Sequence, residues 1–234
     1  MKNKKIFGII GGMGTIATEK FIHMLNAGID AHKDQDYYNF VLINHASIPD
    51  RTAYILNSSK ESSPLPDLIS DVKKLNDFGV EFIILLCNTA HYFISELQQY
   101  VECPILNMPV EAVSLLKQKY HRAQRVGIIA AEGSIKTKIY EEVLLSYGLT
   151  PIIPDILLQE QISKLIYEDL KKDNYLNITS FNRITNELFH CGSDAILIGC
   201  TEMSAIYFHK EVDTTNIIDA QMALLEKVHY MMRD

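Results

Sequence analysis

Ile6-Phe7-Gly8-Ile9-Ile10-Gly11-Gly12-Met13-Gly14-Thr15 is the stretch that decides the fold. Five apolar or small residues form a strand that can be buried on both faces, and a glycine-rich turn comes at once after it. Ala17, Phe21, Met24 and Leu25 then fall on one face of a helix. Strand, tight turn and helix in that order make the opening unit of a parallel α/β sheet. Working outward, Phe40 to Ile43 reads as a second strand, and Asn44–Thr52 with Ser58–Ser63 reads as a long loop able to cover a site. Leu65, Leu68, Ile69, Val72 and Leu75 predict a helix that stops near Gly79. Phe82 to Leu86 is an all-apolar strand leading directly into Cys87-Asn88-Thr89, after which Phe93, Ile94 and Leu97 mark another helix.

The second half repeats this grammar. Gly127-Ile128-Ile129 followed by Gly133-Ser134 echoes Gly8-Ile9-Ile10 followed by Gly14-Thr15, 119 residues on. Cys200-Thr201, behind the strand Ala195–Ile198, echoes Cys87-Asn88 at a spacing of 113, and Ile217-Ile218-Asp219 echoes Ile105-Leu106-Asn107 at 112. Three matches of similar spacing in the same context predict two similar Rossmann-like halves, each a parallel sheet flanked by helices, with the active site in the cleft between them. Residues 1–112 with 213–234 are assigned to an N-terminal half and 113–212 to a C-terminal half. The last helix, with Met222, Leu225, Val228 and Met232, needs an apolar partner and is expected to return onto the first half.

Composition narrows the function. The 234 residues are 47% hydrophobic and 22% charged, and 22 Lys plus Arg against 29 Asp plus Glu give a net charge of −7. That balance argues against nucleic acid or an anionic membrane as partner. No apolar run approaches the ~18 residues of a membrane span, and the N-terminus lacks a signal-like apolar core, so a cytoplasmic protein is expected. In that compartment the four cysteines stay reduced, and no CxxC pair suggests zinc. His23, His32, His121, His190, His209 and His229 show no metal-ligand spacing, and no metal is expected.

Cys87 and Cys200 are the candidates for chemistry, because ligands of open parallel sheets bind beyond the carboxyl ends of the strands. If the halves face each other, the two thiols view one ligand from opposite sides. Each precedes a helix, whose N-terminal dipole would lower the thiol pKa. A lone cysteine at a strand end is more often core packing than chemistry. Cys103 and Cys191 have no symmetric counterpart and keep that bland reading. For Cys87 and Cys200 the shared position, and the polar residues just after each, favour function.

Five ordered pieces, GIIGGMGT at 8–15, PDRT at 49–52, CNTAH at 87–91, EGS at 132–134 and GCTE at 199–202, make nearly the whole chain resemble the cofactor-independent aspartate/glutamate racemase family, and most closely its aspartate racemase branch. The resemblance implies an isomerase that racemises a small acidic amino acid without pyridoxal phosphate, one cysteine acting on each face of Cα. It also implies a homodimer. Removing a proton from one face and returning one to the other requires a thiolate and a thiol flanking the carbon. Backbone N–H groups around Met13, Gly14 and Thr15, Asn88 and Thr89, Gly133 and Ser134, and Thr201 and Glu202 are candidates for the α-carboxylate. By resemblance Arg51 reaches a substrate carboxylate, as does a late lysine for which Lys171 is the best match, ahead of Lys172 and Lys164. Glu202 is read as a substrate-ammonium ligand or a brace for the Thr201 turn, His91 as orienting the Cys87 loop, tuning its thiol or purely structural, and His45 and Asp50 as ligand contacts or solvated loop residues. The sequence departs from the pattern at Thr15, where proline is usual, and at Ala131, where threonine is usual. Aspartate is the leading substrate, with a glutamate-preferring or broad-specificity racemase as the alternative. A two-lobed module that binds an acidic ligand without chemistry is the alternative from another class. A dinucleotide-binding enzyme is disfavoured, since the turn is not GxGxxG and no acidic residue closes the second strand.

Overall fold

A computed structural model describes residues 5–233. The chain runs through β1 (Ile6–Gly11), α1 (Thr15–Ala27), β2 (Asn39–Asn44), α2 (Arg51–Leu56), α3 (Leu65–Phe78), β3 (Ile83–Leu85), α4 (Ile94–Leu97) and α5 (Met108–Lys119). It continues through β4 (Arg125–Ala130), α6 (Glu132–Lys136), α7 (Glu141–Ser146), β5 (Thr150–Ile152), α8 (Ile156–Lys164), a π-helical turn at Leu165–Lys172, α9 (Ile178–His190), β6 (Ala195–Gly199), α10 (Ser204–Tyr207), β7 (Ile217–Asp219) and α11 (Ala220–Met232).

The strands form two parallel sheets, ordered β2-β1-β3 and β5-β4-β6-β7. The two opening strands of the halves, β1 and β4, are interior, and each is buried along nearly its whole length, as a strand covered on both faces must be. Their glycines play matching parts. A Cβ at Gly8 would meet Leu75 Cδ1 of α3 at 2.8 Å, and one at Gly127 would meet Ser193 Oγ at 2.8 Å and Leu188 Cβ at 3.2 Å. In each half the missing side chain lets a covering helix lie close on the central strand. Ile105 makes a parallel bridge to Ile83, which places it in the first sheet where Ile217 stands in the second. The echo at 112 residues is therefore a real structural correspondence.

One apolar core joins the sheets. Phe7, Ile9, Phe82 and Ile84 from the first and Val126, Ile128 and Leu197 from the second share it with Val113 and Leu116 of α5 and Leu224 and Val228 of α11. Burying a Leu, Val, Ile or Phe side chain contributes about 1.5–3 kcal/mol, so this shared layer holds the halves at a fixed spacing. Separate cores lie beneath α3 on the first sheet and beneath α8 and α9 on the second. Helix α11 lies along α5 and contacts both α1 and the second-sheet strands β6 and β7. Strand β7 is different: it hydrogen-bonds to β6, so 217–219 belong to the second sheet although the sequence reading placed 213–234 with the N-terminal half.

A second difference concerns the long loop. Residues 51–56 are helical, because the Asp50 side chain accepts from the Ala53 N–H at 2.8 Å and caps the turn. Asp50 ahead of Arg-Thr-Ala-Tyr-Ile-Leu is the helix-start signal behind this difference. Among the described residues no helix is long and apolar enough to cross a membrane.

Candidate active site

Cys87 lies two residues beyond β3 and Cys200 immediately beyond β6, at the carboxyl ends of strands that each flank a central strand. Both are buried and unpaired. They line one small cavity between the halves, together with Met13, Asp50, Arg51, Thr52, Asn88, Thr89, Lys171, Thr201 and Glu202. Its volume is about 20 Å³, room for about one water molecule. An adjoining cavity of about 370 Å³ shares the walls Met13, Asp50, Arg51, Lys171, Thr201 and Glu202 and adds Gly14 and Thr15. These side chains thus separate an inner space next to the sulfurs from an outer one.

The polar contacts are specific. Cys200 Sγ is 3.1 Å from Glu202 Oε2, and Glu202 Oε1 is 3.4 Å from Lys171 Nζ. The ammonium of Lys171 also stands 4.7 Å above the ring of Tyr167, one turn earlier on the same helical segment. Burial works against the charge on Lys171, but Glu202, Cys200 and Tyr167 outweigh it and hold the ammonium above its ordinary pKa. Burial, opposed by a bond to Thr52 and reinforced by Asp50, pushes the Tyr167 phenol up to about 12. Arg51 is buried and donates to the carbonyls of Ile48 (3.3 Å), Pro49 (3.1 Å) and Met13 (2.9 Å), leaving Nε without a partner among the described residues. Burial opposes its charge too, yet Cys87 and Asp50 keep the guanidinium above its usual value.

The helix-dipole expectation for the thiols fails at Cys200. Burial first, then the neighbouring Glu202 carboxylate, pushes its pKa well above the ordinary thiol value, with Lys171 acting in the opposite direction. Cys200 leads into a single 3₁₀ turn at Thr201–Met203, and Cys87 precedes another at Thr89–Phe93. Neither is the extended α-helix on which a macrodipole depends.

Of the substrate-binding candidates, Met13, Arg51, Asn88, Thr89, Lys171, Thr201 and Glu202 gather around both sulfurs, while Gly14 and Thr15 reach only the outer cavity. Gly133 and Ser134 line neither; they clamp the halves. A Cβ on Gly133 would meet Thr52 Cα at 2.9 Å, and Ser134 Oγ lies 2.9 Å from Thr89 Oγ1. His45 and Asp50 also have structural partners. His45 Nδ1 sits 2.6 Å from Asp71, and Asp50 caps α2 while its residue lines the cavity. Sequence reasoning missed Tyr167 and Ile166, which close the cavity from the π-helical turn; Tyr167 spaced four from Lys171 was the signal available.

His91 takes the loop-orienting reading. Its Nδ1 donates to the carbonyls of Cys87 (2.9 Å) and Asn88 (3.2 Å), bracing the loop, and burial pushes its pKa down to about 4. Asp219, the cap of α11 and partner of Ser204 at 2.8 Å, is pushed up to about 7 by burial. The two affect stability with opposite sign. Below pH 6.5 an unfolded chain protonates His91 while the folded one does not, so stability is lost as pH falls from 6.5 toward 4. Between about 4 and 7 the folded chain keeps the Asp219 proton that the unfolded one releases, so stability is lost as pH rises. Asp219→Asn retains the cap and removes the second slope. Its unfolding midpoint minus that of wild type is expected to climb from about pH 4.5 to about pH 7.5; a constant difference would contradict the buried-carboxyl account.

The Asp/Glu/hydantoin racemase family matches residues 10–228 of the chain. The chain belongs to that family. A broad-specificity amino-acid racemase, RacX of Bacillus subtilis, is 29% identical over 229 residues, covering 94% of each chain. Among solved structures, the Picrophilus torridus aspartate racemase is 30% identical, with a TM-score of 0.82, covering 97% of this chain and 94% of its own. The glutamate racemase of Francisella tularensis, in complex with D-glutamate, shares the fold at 17% identity and a TM-score of 0.65, over 99% of this chain and 82% of its own. The two-halved α/β architecture of this racemase-family chain is thus that of its relatives.

Proposed function

We propose that the chain racemises aspartate without a cofactor, by a two-base mechanism in which Cys87 and Cys200 act on opposite faces of Cα. One observation carries the reading: two cysteines from matching strand ends of the two halves open onto one buried cavity. In one direction a thiolate removes the Cα proton while the opposite thiol donates its own, and in the other direction the roles exchange. The carbanion that forms is stabilised by charge placed in a water-poor site, with Arg51 and Lys171 the nearby cations and the Thr89 and Thr201 turns candidate N–H donors to the α-carboxylate. Lys171 is the side chain free to exchange Glu202 for a distal carboxylate, since its one ion pair among the described residues, at 3.4 Å, borders the outer cavity. Entry of substrate then requires the walls shared by the two cavities to separate, because the inner space holds about one water.

A broad-specificity reading has its own support. Arg51 already donates to three backbone carbonyls, which weakens its claim as a dedicated side-chain anchor, and the Bacillus relative is a broad-specificity enzyme. Chiral chromatography of reactions with a panel of acidic and neutral amino acids, with no cofactor added, tests the two. Aspartate is expected to give the highest kcat/KM; equal turnover of neutral amino acids would favour the second reading, and turnover of none would sink both.

A further inference from the structure

Tyr140, between α6 and α7, is among the largest fully buried side chains, and it does not line the cavity of the two sulfurs. Its hydroxyl meets the side-chain amide of Asn88, the residue after Cys87. With the amide nitrogen turned to the phenol, the amide oxygen accepts from the backbone N–H groups of Cys200 (3.3 Å) and Thr201 (3.2 Å). A single amide therefore ties the residue beside one cysteine to the main chain of the other: the donor-only N–H groups of Cys200 and Thr201 set which way the amide faces, and the Tyr140 phenol accepts from its nitrogen and holds it there. The ring has its own seat: a Cβ at Gly199, the residue before Cys200, would collide with Tyr140 Cε2. Every partner is buried, so these bonds are shielded from bulk water.

We infer that Tyr140 is a positioning residue for the reaction: through the Asn88 amide it holds the Cys87 and Cys200 loops at the separation that lets both thiols reach one carbon. This rests on the reading that the two cysteines flank Cα. A two-base reaction is unusually sensitive to that separation. Closing it crowds the substrate, and widening it leaves the second thiol unable to deliver its proton before solvent does. The Thr89–Ser134 bond is an independent tie between the halves, so loss of the phenol should loosen the loops without separating them.

Tyr140→Phe keeps the ring in the Gly199 notch and removes only the hydroxyl. The variant is expected to fold, with KM within about threefold of wild type and kcat about 10- to 100-fold lower in both directions. In deuterated buffer, at early conversion, deuterium should also enter the recovered substrate isomer, because solvent now competes with the second thiol. Installing 3-fluorotyrosine at position 140, which retains the hydroxyl, should restore kcat and the wild-type label pattern. A purely structural role would instead lower the melting temperature and the active fraction, leaving kcat per active site and the label pattern unchanged, and that result would overturn the proposal. A measurement on the unaltered protein guards against failure of Tyr140→Phe to fold. The Cys200 and Thr201 amide protons should exchange at least about 10³-fold more slowly than in an unfolded chain, and free exchange would overturn the proposal by itself. If the unaltered protein shows slow exchange yet no racemisation, it is the two-base reading that falls, not the tie between the loops.

Discussion

Cys87→Ala and Cys200→Ala are each expected to lower racemisation by about 10³-fold or more, in both directions, because removing either sulfur takes away an acid in one direction and a base in the other. The equality of the loss is the informative part. A cysteine that only packed against the cavity would cost stability when truncated but leave the turnover of folded enzyme near wild type. Both sulfurs are buried, and a Cys→Ala change removes little volume, so the variants should fold and a low rate can be read as chemistry. Kinetics measured from pure L- and pure D-aspartate, normalised to folded protein, check the expectation. Wild-type rates from either enantiomer in either variant would remove that cysteine from the mechanism.

The second large effect concerns the triad Cys200, Glu202 and Lys171. Glu202 sits 3.1 Å from the sulfur and adds to the burial that raises the thiol pKa, while Lys171, 3.4 Å from Glu202, lowers it. The two side chains therefore act with opposite sign. Glu202→Gln deletes a negative charge, so the Cys200 thiolate forms at lower pH and the alkaline-rising limb of kcat/KM moves down. Lys171→Met deletes the opposing positive charge, and that limb moves up. Lys171→Met should also cost about 10-fold or more in kcat/KM for aspartate, the scale of one charge-assisted bond to a distal carboxylate, with a smaller loss for a neutral amino acid. A pH–rate profile from about pH 6 to about pH 10 for the three proteins separates these cases. Limbs that do not move, or that both move the same way, would mean that the two side chains do not govern the ionisation of Cys200.

Much of this was legible in the sequence because buried parallel strands write themselves as continuous apolar runs. Ile6–Ile10, Phe82–Leu86 and Ala195–Ile198 all lie on strands or their immediate flanks, and the spacings of 112 to 119 residues report a duplication that the two sheets repeat in space. The cysteines were found by position and symmetry. The energetics around them were not, because desolvation and cross-chain charge depend on partners far apart in sequence: Arg51 reaches the Met13 carbonyl, and Glu202 reaches Lys171. Gly133 reads in the sequence as either a tight turn or a ligand contact, and its close approach to Thr52, where α6 meets α2, carries no local signal. Tyr140 carries no local signal, since its bond to Asn88 spans 52 residues.

The most direct test of two sulfurs acting across one carbon is the fate of the hydrogen itself. Pure L-aspartate is incubated with the wild-type protein in deuterated buffer, without cofactor, and both enantiomers are recovered before about a tenth of the substrate has turned over. D-aspartate carrying one deuterium at Cα, beside L-aspartate still protonated, is the expected outcome. Equal deuteration of both isomers would point to a single base shared by the two faces, and absence of D-aspartate would contradict racemisation of this substrate outright.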